Sequence, residues 1–370
     1  MLNTFIEINL NSLKKNLLNI RRKIGNRKIL AVIKADAYGH GMIECAAALM
    51  ETGKKRPDYF GVATVDEAVE LRKKTNIKLP VLCLAPFQAD DIEEYKKYDI
   101  TASVSDEAAA ERLLKSGLNF KLKIHFNIDT GMGLTGINYN RAFDIIKRLA
   151  EKRNITIAGI YTIFAQADKK DKSFSYGQIE KFNALLAELK EKKIEYGIVH
   201  AVNSAGFFNL PEAYYDMVRC GSALYGFYPS AEIETNIKIY PVMSIYTKVS
   251  VVKKISKGES IGFGRTFIAP RNNTVATVPV GYADGFKRAF SNNFSAIIKG
   301  KFYPQAGNVS MDRIAFLVEN DKINQGEKVV LLGKAGNKEI TLWDWAKKAN
   351  TIPYEISCSI GKRIQKKFKR

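Results

Sequence analysis

Short apolar runs alternate with stretches of helical periodicity from residue 28 to residue 219. The first run, KILAVIK at residues 28–34, is mostly apolar on both faces, as in a strand covered on both sides of a parallel sheet. Between the runs, segments such as 66–74 and 177–192 place apolar residues at helical spacing. Eight successive strand–helix units predict an α/β fold with a parallel (β/α)8 barrel, the TIM-barrel architecture. The predicted strands are residues 28–34, 59–63, 80–84, 100–104, 121–128, 156–164, 197–202 and 215–219.

The pattern changes after about residue 230, where β-branched runs follow one another and only one helical segment, 341–348, stands out. Such runs, separated by turn residues, predict an antiparallel β domain. Its predicted strands are residues 242–255, 273–280, 295–302, 312–318 and 328–332. We expect the N-terminal strand, residues 4–10, to join this domain. The predicted organisation is a barrel over residues 11–229 and a mainly antiparallel β domain made of residues 1–10 and 230–370.

The composition is that of an ordinary soluble globular protein, with 46% hydrophobic and 11% aromatic residues. No apolar run reaches the roughly 20 residues of a membrane span, and residues 1–10 lack the order of a signal peptide. The four cysteines are scattered, without metal or redox spacing: Cys45, Cys83, Cys220 and Cys358. We therefore expect a cytoplasmic protein with no metal and no membrane partner.

A net charge of +20 raises the alternative of a nucleic-acid binder. Most lysines are dispersed among acidic neighbours on predicted helix surfaces, which favours simple solvation of the surface instead. Only the tail, residues 362–370, forms a basic cluster, and the sequence leaves its role open. We expect no nucleic-acid partner.

Candidate chemistry lies at the ends of the predicted barrel strands, where active sites of this fold are found. Lys34 ends the first strand, and a desolvated amine there can act as a Schiff-base nucleophile. Taken alone, a strand-end lysine is more often an ordinary residue. The loops after the seventh and eighth strands, HAVNSAG and MVRCGSALYG, offer small residues and hydroxyls that suit a phosphate. Arg219 ends the eighth strand, and a buried guanidinium needs a partner, for which a cofactor ring nitrogen is one candidate.

Six segments in order make the chain resemble the alanine racemase family along essentially its whole length: AVIKADAYGHG, DTGMG, HAVNSA, MVRCGSALYG, GYADG and SMD. The resemblance implies an isomerase that uses pyridoxal 5'-phosphate (PLP) to interconvert L- and D-alanine, supplying D-alanine for peptidoglycan. It also implies a barrel followed by a β domain, and a homodimer in which each β domain contributes to the partner's active site. The partners would be an amino-acid substrate and a second copy of the chain.

The resemblance further assigns roles to individual residues. Lys34 would bind PLP covalently and act as one acid–base group, while Tyr282 of GYADG would act on the opposite face of the substrate. Arg219 would face the pyridine nitrogen and, because it cannot give up its own proton, leave that nitrogen unprotonated. His200 would lie behind Arg219 in a polar network. The phosphate would be held by Tyr38, Ser204, Gly221, Ser222 and Tyr354, and the substrate carboxylate would lie near Met311 and Asp312.

Three positions depart from the family pattern. Asn127 stands where the family has a lysine, often carbamylated, Leu134 where it has an arginine, and Ile163 where it has a histidine. Loss of the arginine alone would leave the buried charge of the carbamate unpaired, and joint loss avoids that cost. The alternative substrate is therefore another amino acid (serine, a basic residue or a broad range). Arg313 and Arg265 are candidates to take the carboxylate.

Two other classes of protein, decarboxylases and non-catalytic PLP carriers, match the sequence less well. A decarboxylase on the same two-domain plan would not need GYADG, and it would use other phosphate loops. A non-catalytic PLP carrier would lack residues 230–370 and Tyr282. The main hypothesis is an alanine racemase, and the alternative is a racemase of another amino acid.

Overall fold

The computed structural model describes residues 4–233, 237–319 and 321–370. Residues 1–3, 234–236 and 320, which the predicted β domain includes, lie outside the described residues. The chain divides into two compact units. The barrel unit consists of residues 13–37 and 42–240, and the β unit of the residues up to 12, residues 38–41 and residues 241–370.

The described residues form strands and helices in the following order. The strands are β1 (Phe5–Asn9), β2 (Lys28–Val32), β3 (Tyr59–Val62), β4 (Val81–Pro86), β5 (Ile100–Val104), β6 (Leu122–Asp129), β7 (Ile137–Asn138), β8 (Ile155–Thr162), β9 (Ile198–His200), β10 (Met217–Cys220), β11 (Met243–Lys248), β12 (Val251–Ile255), β13 (Ser260–Ile261), β14 (Phe267–Ile268), β15 (Asn273–Val278), β16 (Ser295–Ile298), β17 (Lys301–Ala306), β18 (Ile314–Leu317), β19 (Lys328–Ala335), β20 (Lys338–Ile340) and β21 (Gln365–Lys369). The helices are α1 (Leu10–Ile24), α2 (Lys34–Tyr38), α3 (Met42–Met50), α4 (Val65–Lys74), α5 (Ile92–Lys97), α6 (Glu107–Lys115), α7 (Tyr139–Ala150), α8 (Ser173–Glu191), α9 (Ser204–Asn209), α10 (Ser222–Tyr225), α11 (Leu342–Lys348) and α12 (Pro353–Cys358).

The barrel unit is built on a parallel sheet. Within the described residues its strand order is β10-β2-β3-β4-β5-β6-β8-β9, with the short β7 beside β6. Two main-chain hydrogen bonds, from Asp216 N to Val199 O and from Arg219 N to Val202 O, bring the ends of this sheet together. The predicted parallel barrel is confirmed, and each predicted barrel strand overlaps an observed one.

The longer barrel helices bury one apolar face each. Helices α4 and α6 are preceded by the N-cap residues Thr64 and Asp106, whose side chains accept main-chain N–H groups of the first turn. Helix α7 buries a stripe of residues spaced three or four apart. That stripe is Ala142, Ile145, Ile146 and Leu149. Strand β5 is buried along its whole length, as expected of a strand covered on both faces.

The β unit contains a mainly antiparallel sheet in the order β12-β15-β18-β17-β16-β19-β11-β1-β21, with β20 beside β19. Strand β1 lies antiparallel to β11 and parallel to β21. The single strand predicted over 242–255 is wrong, because the chain leaves β19 at Val249 and pairs with β15 from Ser250 onwards. The single strand predicted over 295–302 is also wrong, because the chain turns at Lys299 and Gly300, both with positive φ, into the hairpin of β16 and β17.

Two further features of the β unit differ from the sequence analysis or extend it. The expectation of one helix is wrong, since α12 follows α11 in the described part of the chain. The basic tail, whose role the sequence left open, forms β21 at the edge of the sheet, paired with β1. Lysines on an edge strand discourage pairing with other chains. Lys367 also places Nζ 4.2 Å from the centroid of the Phe5 ring.

An aromatic cluster anchors the core of the β unit directly after the GYADG segment. Its rings contact one another with centroids 4.9–5.7 Å apart: Phe286, Phe290, Phe294 and Trp345. Trp345 Nε1 donates to Leu331 O at 2.8 Å, so its polar atom is satisfied as well. The loop that carries Tyr282 therefore leads directly into a rigid, buried support.

Candidate active site

Lys34 lies two residues after β2, where the chain leaves the barrel sheet. Its side chain is half-buried, and the preceding Ile33 still donates its main-chain N–H to Gly61 O at 2.8 Å. The next four residues, from Ala35 to Tyr38, all have φ between 52° and 55°, which makes one turn of left-handed helix. This conformation costs roughly 1–2 kcal/mol for each non-glycine residue, so about 4–8 kcal/mol of strain lies beside the lysine.

Two carboxylates hold this left-handed turn in place. Glu67 accepts the main-chain N–H of Ala35 on Oε1 and that of Ala63 on Oε2, both at 2.7 Å. Asp36 Oδ1 accepts the N–H of Met42 at 2.8 Å. The turn is thereby tied to the first turn of α4 and to the start of α3. The direction in which the lysine leaves its strand is fixed by neighbouring elements rather than by local preference.

The loops after β9 and β10 meet at Ser204. Ser204 Oγ accepts the main-chain N–H of Gly221 at 2.9 Å and that of Ala223 at 3.3 Å. Ser204 and Ser222 are both buried. The structure therefore brings together three of the residues predicted to hold a phosphate. The N–H of Gly221 is directed at Ser204, and the Ser204 hydroxyl keeps its own hydrogen to donate elsewhere.

Arg219 is buried in β10, the strand that pairs with β2. Its Nη2 donates to the carbonyl oxygens of Thr162 and Ala201, each at 2.8 Å, and its Nη1 to His200 Nδ1 at 3.0 Å. The guanidinium also lies over the Tyr161 ring, 5.1 Å from its centroid. Three of its five N–H groups thus bond to described residues. Burial lowers the pKa of Arg219 to about 10, so the side chain stays charged at neutral pH.

Two buried histidines continue the network beyond Arg219. His200 Nε2 lies 2.8 Å from His125 Nδ1. Burial, and after it the charge of Arg219, lowers the pKa of His125 to about 3 and that of His200 well below its usual value. Both rings are therefore neutral at physiological pH. His125 was not among the residues predicted from the sequence to lie in the site; the available signal was the alternation along β6, which places His125 on the same face as Asn127.

The three positions that depart from the family pattern lie in or after β6 and β8. Asn127 is buried, its Nδ2 donates to Thr135 Oγ1 at 3.1 Å, and its Oδ1 makes no hydrogen bond to a described residue. Leu134 is 78% exposed. Ile163 is half-buried, and its carbonyl accepts Gln178 Nε2 at 3.0 Å. Neutral groups occupy all three positions, so none of them supplies a positive charge for a carboxylate.

Tyr282 and Met311 lie on neighbouring loops of the β unit. Tyr282 N donates to Ser310 O at 3.0 Å, and Ala283 N donates to Met311 O at 3.1 Å. A Cβ on Gly281 would collide with the same two carbonyl groups, so a glycine is required for this approach. The Tyr282 and Met311 side chains are 44% and 51% exposed. The loops GYADG and SMD thus present a phenol and a thioether together on the surface of this unit.

The buried carboxylate of Asp284 holds these loops in place through hydrogen bonds. Asp284 accepts Gly281 N on Oδ2 at 3.0 Å and Arg363 Nε on Oδ1 at 3.1 Å. Arg363 also donates from Nη2 to Asp312 Oδ1 at 2.8 Å. The hydrogen bond to Asp312, followed by the charge of Asp284, raises the pKa of Arg363. Asp312, predicted to lie near the substrate, is therefore ion-paired within its own unit.

Tyr38 and Tyr354, predicted to hold the phosphate, contact each other. Their ring centroids are 5.9 Å apart, with the ring planes at 49°. Tyr38 ends the left-handed turn, and Tyr354 lies in the first turn of α12. A Cβ on Gly39 would collide with Ser357 O, so glycine after Tyr38 allows the chain to approach α12.

In the part of the chain that the structure describes, none of the helices is both long enough and apolar enough to cross a bilayer. Two family profiles match the sequence: "Alanine racemase, N-terminal domain" over residues 8–229 and "Alanine racemase, C-terminal domain" over residues 242–368. The alanine racemase of Clostridium kluyveri is 38% identical over 367 residues, covering 98% of this chain and 93% of the relative.

Solved structures of racemases are similar to this chain over its whole length. The alanine racemase of Clostridium difficile 630 is 34% identical with a TM-score of 0.93, covering 100% of this chain and 96% of that one. The histidine racemase of Leuconostoc mesenteroides is 26% identical with a TM-score of 0.90, covering 100% of this chain and 98% of that one. The agreement spans both units and the segments that carry the site. This chain belongs to the alanine racemase family.

Proposed function

We propose that this protein is a PLP-dependent racemase that interconverts L- and D-alanine and supplies D-alanine for peptidoglycan. The observation that carries the proposal is the position of Lys34. It follows β2, which pairs with β10, and β10 carries Arg219 and leads into Gly221 and Ser222. An amine, a guanidinium and a hydroxyl-bearing loop at one end of a barrel match the aldehyde, ring nitrogen and phosphate of PLP.

The donors of the barrel unit fit this cofactor. Ser204 accepts two main-chain N–H groups, so its hydroxyl hydrogen is available to a phosphate oxygen. Lys34 would hold the cofactor covalently, and Gly221 and Ser222 would complete the phosphate loop. Tyr38 and Tyr354 stay predictions as further phosphate ligands. When bound, PLP withdraws electrons from the attached amino acid and makes its Cα–H acidic.

Arg219 would tune that electron withdrawal. A guanidinium that stays charged can donate a hydrogen bond to the ring nitrogen but cannot protonate it. A ring nitrogen without a proton withdraws electrons less strongly, which disfavours side reactions such as transamination. The bonds from Arg219 to Thr162, Ala201 and His200 hold the guanidinium in one orientation.

Racemisation needs one group to remove the α-proton and a second, on the other face, to return one. Lys34 is the group on the side of the barrel. We place Tyr282 of a second subunit on the opposite face, so a homodimer with shared sites is part of this proposal. The exposure of the Tyr282 phenol on its own unit supports it, because an exposed phenol is able to reach a substrate held by another chain. Met311 and Asp312, on the adjacent loop, would lie near the substrate carboxylate.

The remodelled positions raise one alternative, a racemase of another amino acid. Without an arginine at position 134, the α-carboxylate loses a bidentate partner. Asn127 offers a neutral amide whose Oδ1 makes no bond to a described residue, and such an acceptor suits a hydrogen-bond donor on a substrate side chain. Racemisation of serine, a basic amino acid or several amino acids is therefore the alternative.

We further propose a cytoplasmic location, with the amino acid and the second subunit as partners and no nucleic-acid or membrane partner. No disulfide joins the four cysteines, all of which lie in the described residues. Unlinked thiols fit a reducing compartment.

The test is to incubate the PLP-loaded protein with each L-amino acid and measure the D-enantiomer by chiral chromatography. We expect alanine to turn over fastest and Lys34→Ala to abolish turnover. Faster turnover of serine or a basic amino acid would replace alanine by the alternative. Absence of racemisation with every amino acid, in protein shown to bind PLP, would refute the racemase proposal itself.

A further inference from the structure

Nitrogen atoms of Arg219, His200 and His125 form a buried line of hydrogen bonds. Arg219 Nη1 lies 3.0 Å from His200 Nδ1, and His200 Nε2 lies 2.8 Å from His125 Nδ1. The His200 ring stacks on that of Tyr161, with centroids 4.9 Å apart. His125 is fully buried, and its Nε2 makes no hydrogen bond to any described residue.

The donors in this line can be assigned from chemistry alone. A guanidinium only donates, so His200 Nδ1 must accept and the His200 proton must be on Nε2. That Nε2–H can donate only if His125 Nδ1 accepts, which places the His125 proton on Nε2. Both histidines are neutral, because burial lowers the pKa of each, so each ring has one proton to place. Arg219 thus determines which nitrogen of His200 carries the proton, and His125 Nδ1 supplies the acceptor that this buried N–H needs.

A glycine on the neighbouring strand leaves the space that the His125 ring needs to contact His200. Gly159 of β8 pairs in register with His125 of β6 and with Ile198 of β9, so it lies between the two histidine-bearing strands. A Cβ at Gly159 would lie 2.5 Å from both Nδ1 and Cε1 of His125 and 2.7 Å from Ile198 O. Its φ is not in the left-handed region, so the requirement for glycine is the space that the His125 ring occupies.

We propose that His125 is a positioning residue for Arg219: it accepts the His200 Nε2–H, holds His200 in the tautomer that accepts from Arg219, and owes its place to Gly159. The proposed positions of the protons on His200 and His125 do not depend on the proposed function. Its consequence, that the guanidinium is presented to a cofactor ring nitrogen in one orientation, rests on the proposed function. Without His125, the tautomer with hydrogen on Nδ1 becomes available to His200, and that hydrogen would oppose the Arg219 donor.

Nitrogen NMR on full-length protein labelled with ¹⁵N-histidine tests the arrangement directly, and the chain contains only three histidines to assign. In the unsubstituted protein we expect His200 in the single Nε2–H tautomer, with a scalar coupling across the hydrogen bond to His125 Nδ1. His125→Leu should give a mixture of His200 tautomers. His125→Gln should restore the single tautomer, because the amide oxygen accepts in place of Nδ1. A single Nε2–H tautomer in His125→Leu would overturn the proposal, since Arg219 alone would then suffice.

Gly159→Ala provides an independent perturbation, with Gly177→Ala as its matched control. A Cβ at Gly177 of α8 meets nothing within 4 Å. Gly159→Ala should lose the coupling between the two histidines and give the same tautomer mixture as His125→Leu, whereas Gly177→Ala should change neither. Retention of the coupling in a folded Gly159→Ala protein would refute the role of this glycine. If Gly159→Ala fails to fold, the Leu and Gln variants at position 125 still decide the proposal.

Activity then separates this inference from the proposed function. In the PLP-loaded enzyme, His125→Leu should lower kcat about tenfold with little change in KM, and His125→Gln should recover most of the loss. Full activity of His125→Leu would contradict the positioning role while leaving the racemase proposal intact. Absence of racemase activity in the unsubstituted protein would refute the proposed function and leave the NMR result valid.

Discussion

Replacing Ala35 by glycine tests the strained turn beside Lys34. Ala35 is exposed and has a φ of 52°, and glycine keeps the N–H that bonds to Glu67. The substitution relieves left-handed strain of roughly 1–2 kcal/mol. It also raises the entropy of the unfolded chain, which costs about 1 kcal/mol. The expected net change in the free energy of unfolding is therefore between about zero and about 1 kcal/mol of stabilisation.

Ala184 offers a matched control on a right-handed helix. It is exposed within α8. Ala184→Gly carries the same unfolded-state entropy without any relief of strain, so it should destabilise the protein by about 1 kcal/mol. The difference between the two identical substitutions cancels the unfolded-state contribution and isolates the strain, about 1–2 kcal/mol.

Both variants are compared by urea unfolding, followed by circular dichroism at one protein concentration with saturating PLP. We expect Ala35→Gly to unfold at a higher urea concentration than Ala184→Gly. If Ala35→Gly is equally destabilising, the turn is not strained and the account of Lys34 positioning is wrong. A fall in kcat for Ala35→Gly despite its higher stability would show that the strain serves to position the lysine.

Three other predictions concern the shared site, the buried histidines and the core of the β unit. Mixed dimers of Lys34→Ala and Tyr282→Phe should each contain about one competent site and regain D-alanine formation; heterodimers that form but stay inactive would count against a shared site. Burial lowers the pKa of His125 from 6.5 to about 3, so between these values the unfolded chain binds more protons and stability falls as the pH falls below 6.5. At pH 5 this histidine should cost about 2 kcal/mol relative to neutral pH; urea unfolding of His125→Gln should show that much less pH dependence, and an unchanged slope would contradict the buried neutral ring. Trp345→Ala should destabilise the protein by about 3–5 kcal/mol in the same assay, and a loss below about 1 kcal/mol would mean that the aromatic cluster is not a rigid core.

The barrel was predictable because its strands are short, mostly apolar runs that alternate with helical segments, a pattern visible without knowledge of the strands' partners. The strands of the β unit were less predictable from the sequence. The run 242–255 stays rich in β-branched residues while the chain changes its pairing partner at Ser250, so the β-branched pattern does not show where one strand ends and the next begins. The short helix α12 was not predicted either, since its six residues, which begin with a proline, carry too little periodicity to indicate a helix.

Within the site, the strand-end position of Lys34 and the hydroxyl-bearing loops were visible in the sequence. The left-handed turn was not, because Ala, Asp, Ala and Tyr in succession have no local preference for that conformation. The partners that impose it, Glu67 among them, become neighbours only in the folded barrel. The same holds for Asp284 and Arg363, which are 79 residues apart in the chain and 3.1 Å apart in the structure.

The central claim is that Lys34 anchors the cofactor, and borohydride reduction followed by peptide mass mapping tests it most directly. Reduction converts a lysine–PLP linkage into a stable adduct that survives digestion. We predict the pyridoxyl mass on the peptide that contains Lys34 and its absence from every peptide of Lys34→Ala. An adduct on any other lysine of the unsubstituted protein, with Lys34 unmodified, would contradict the account.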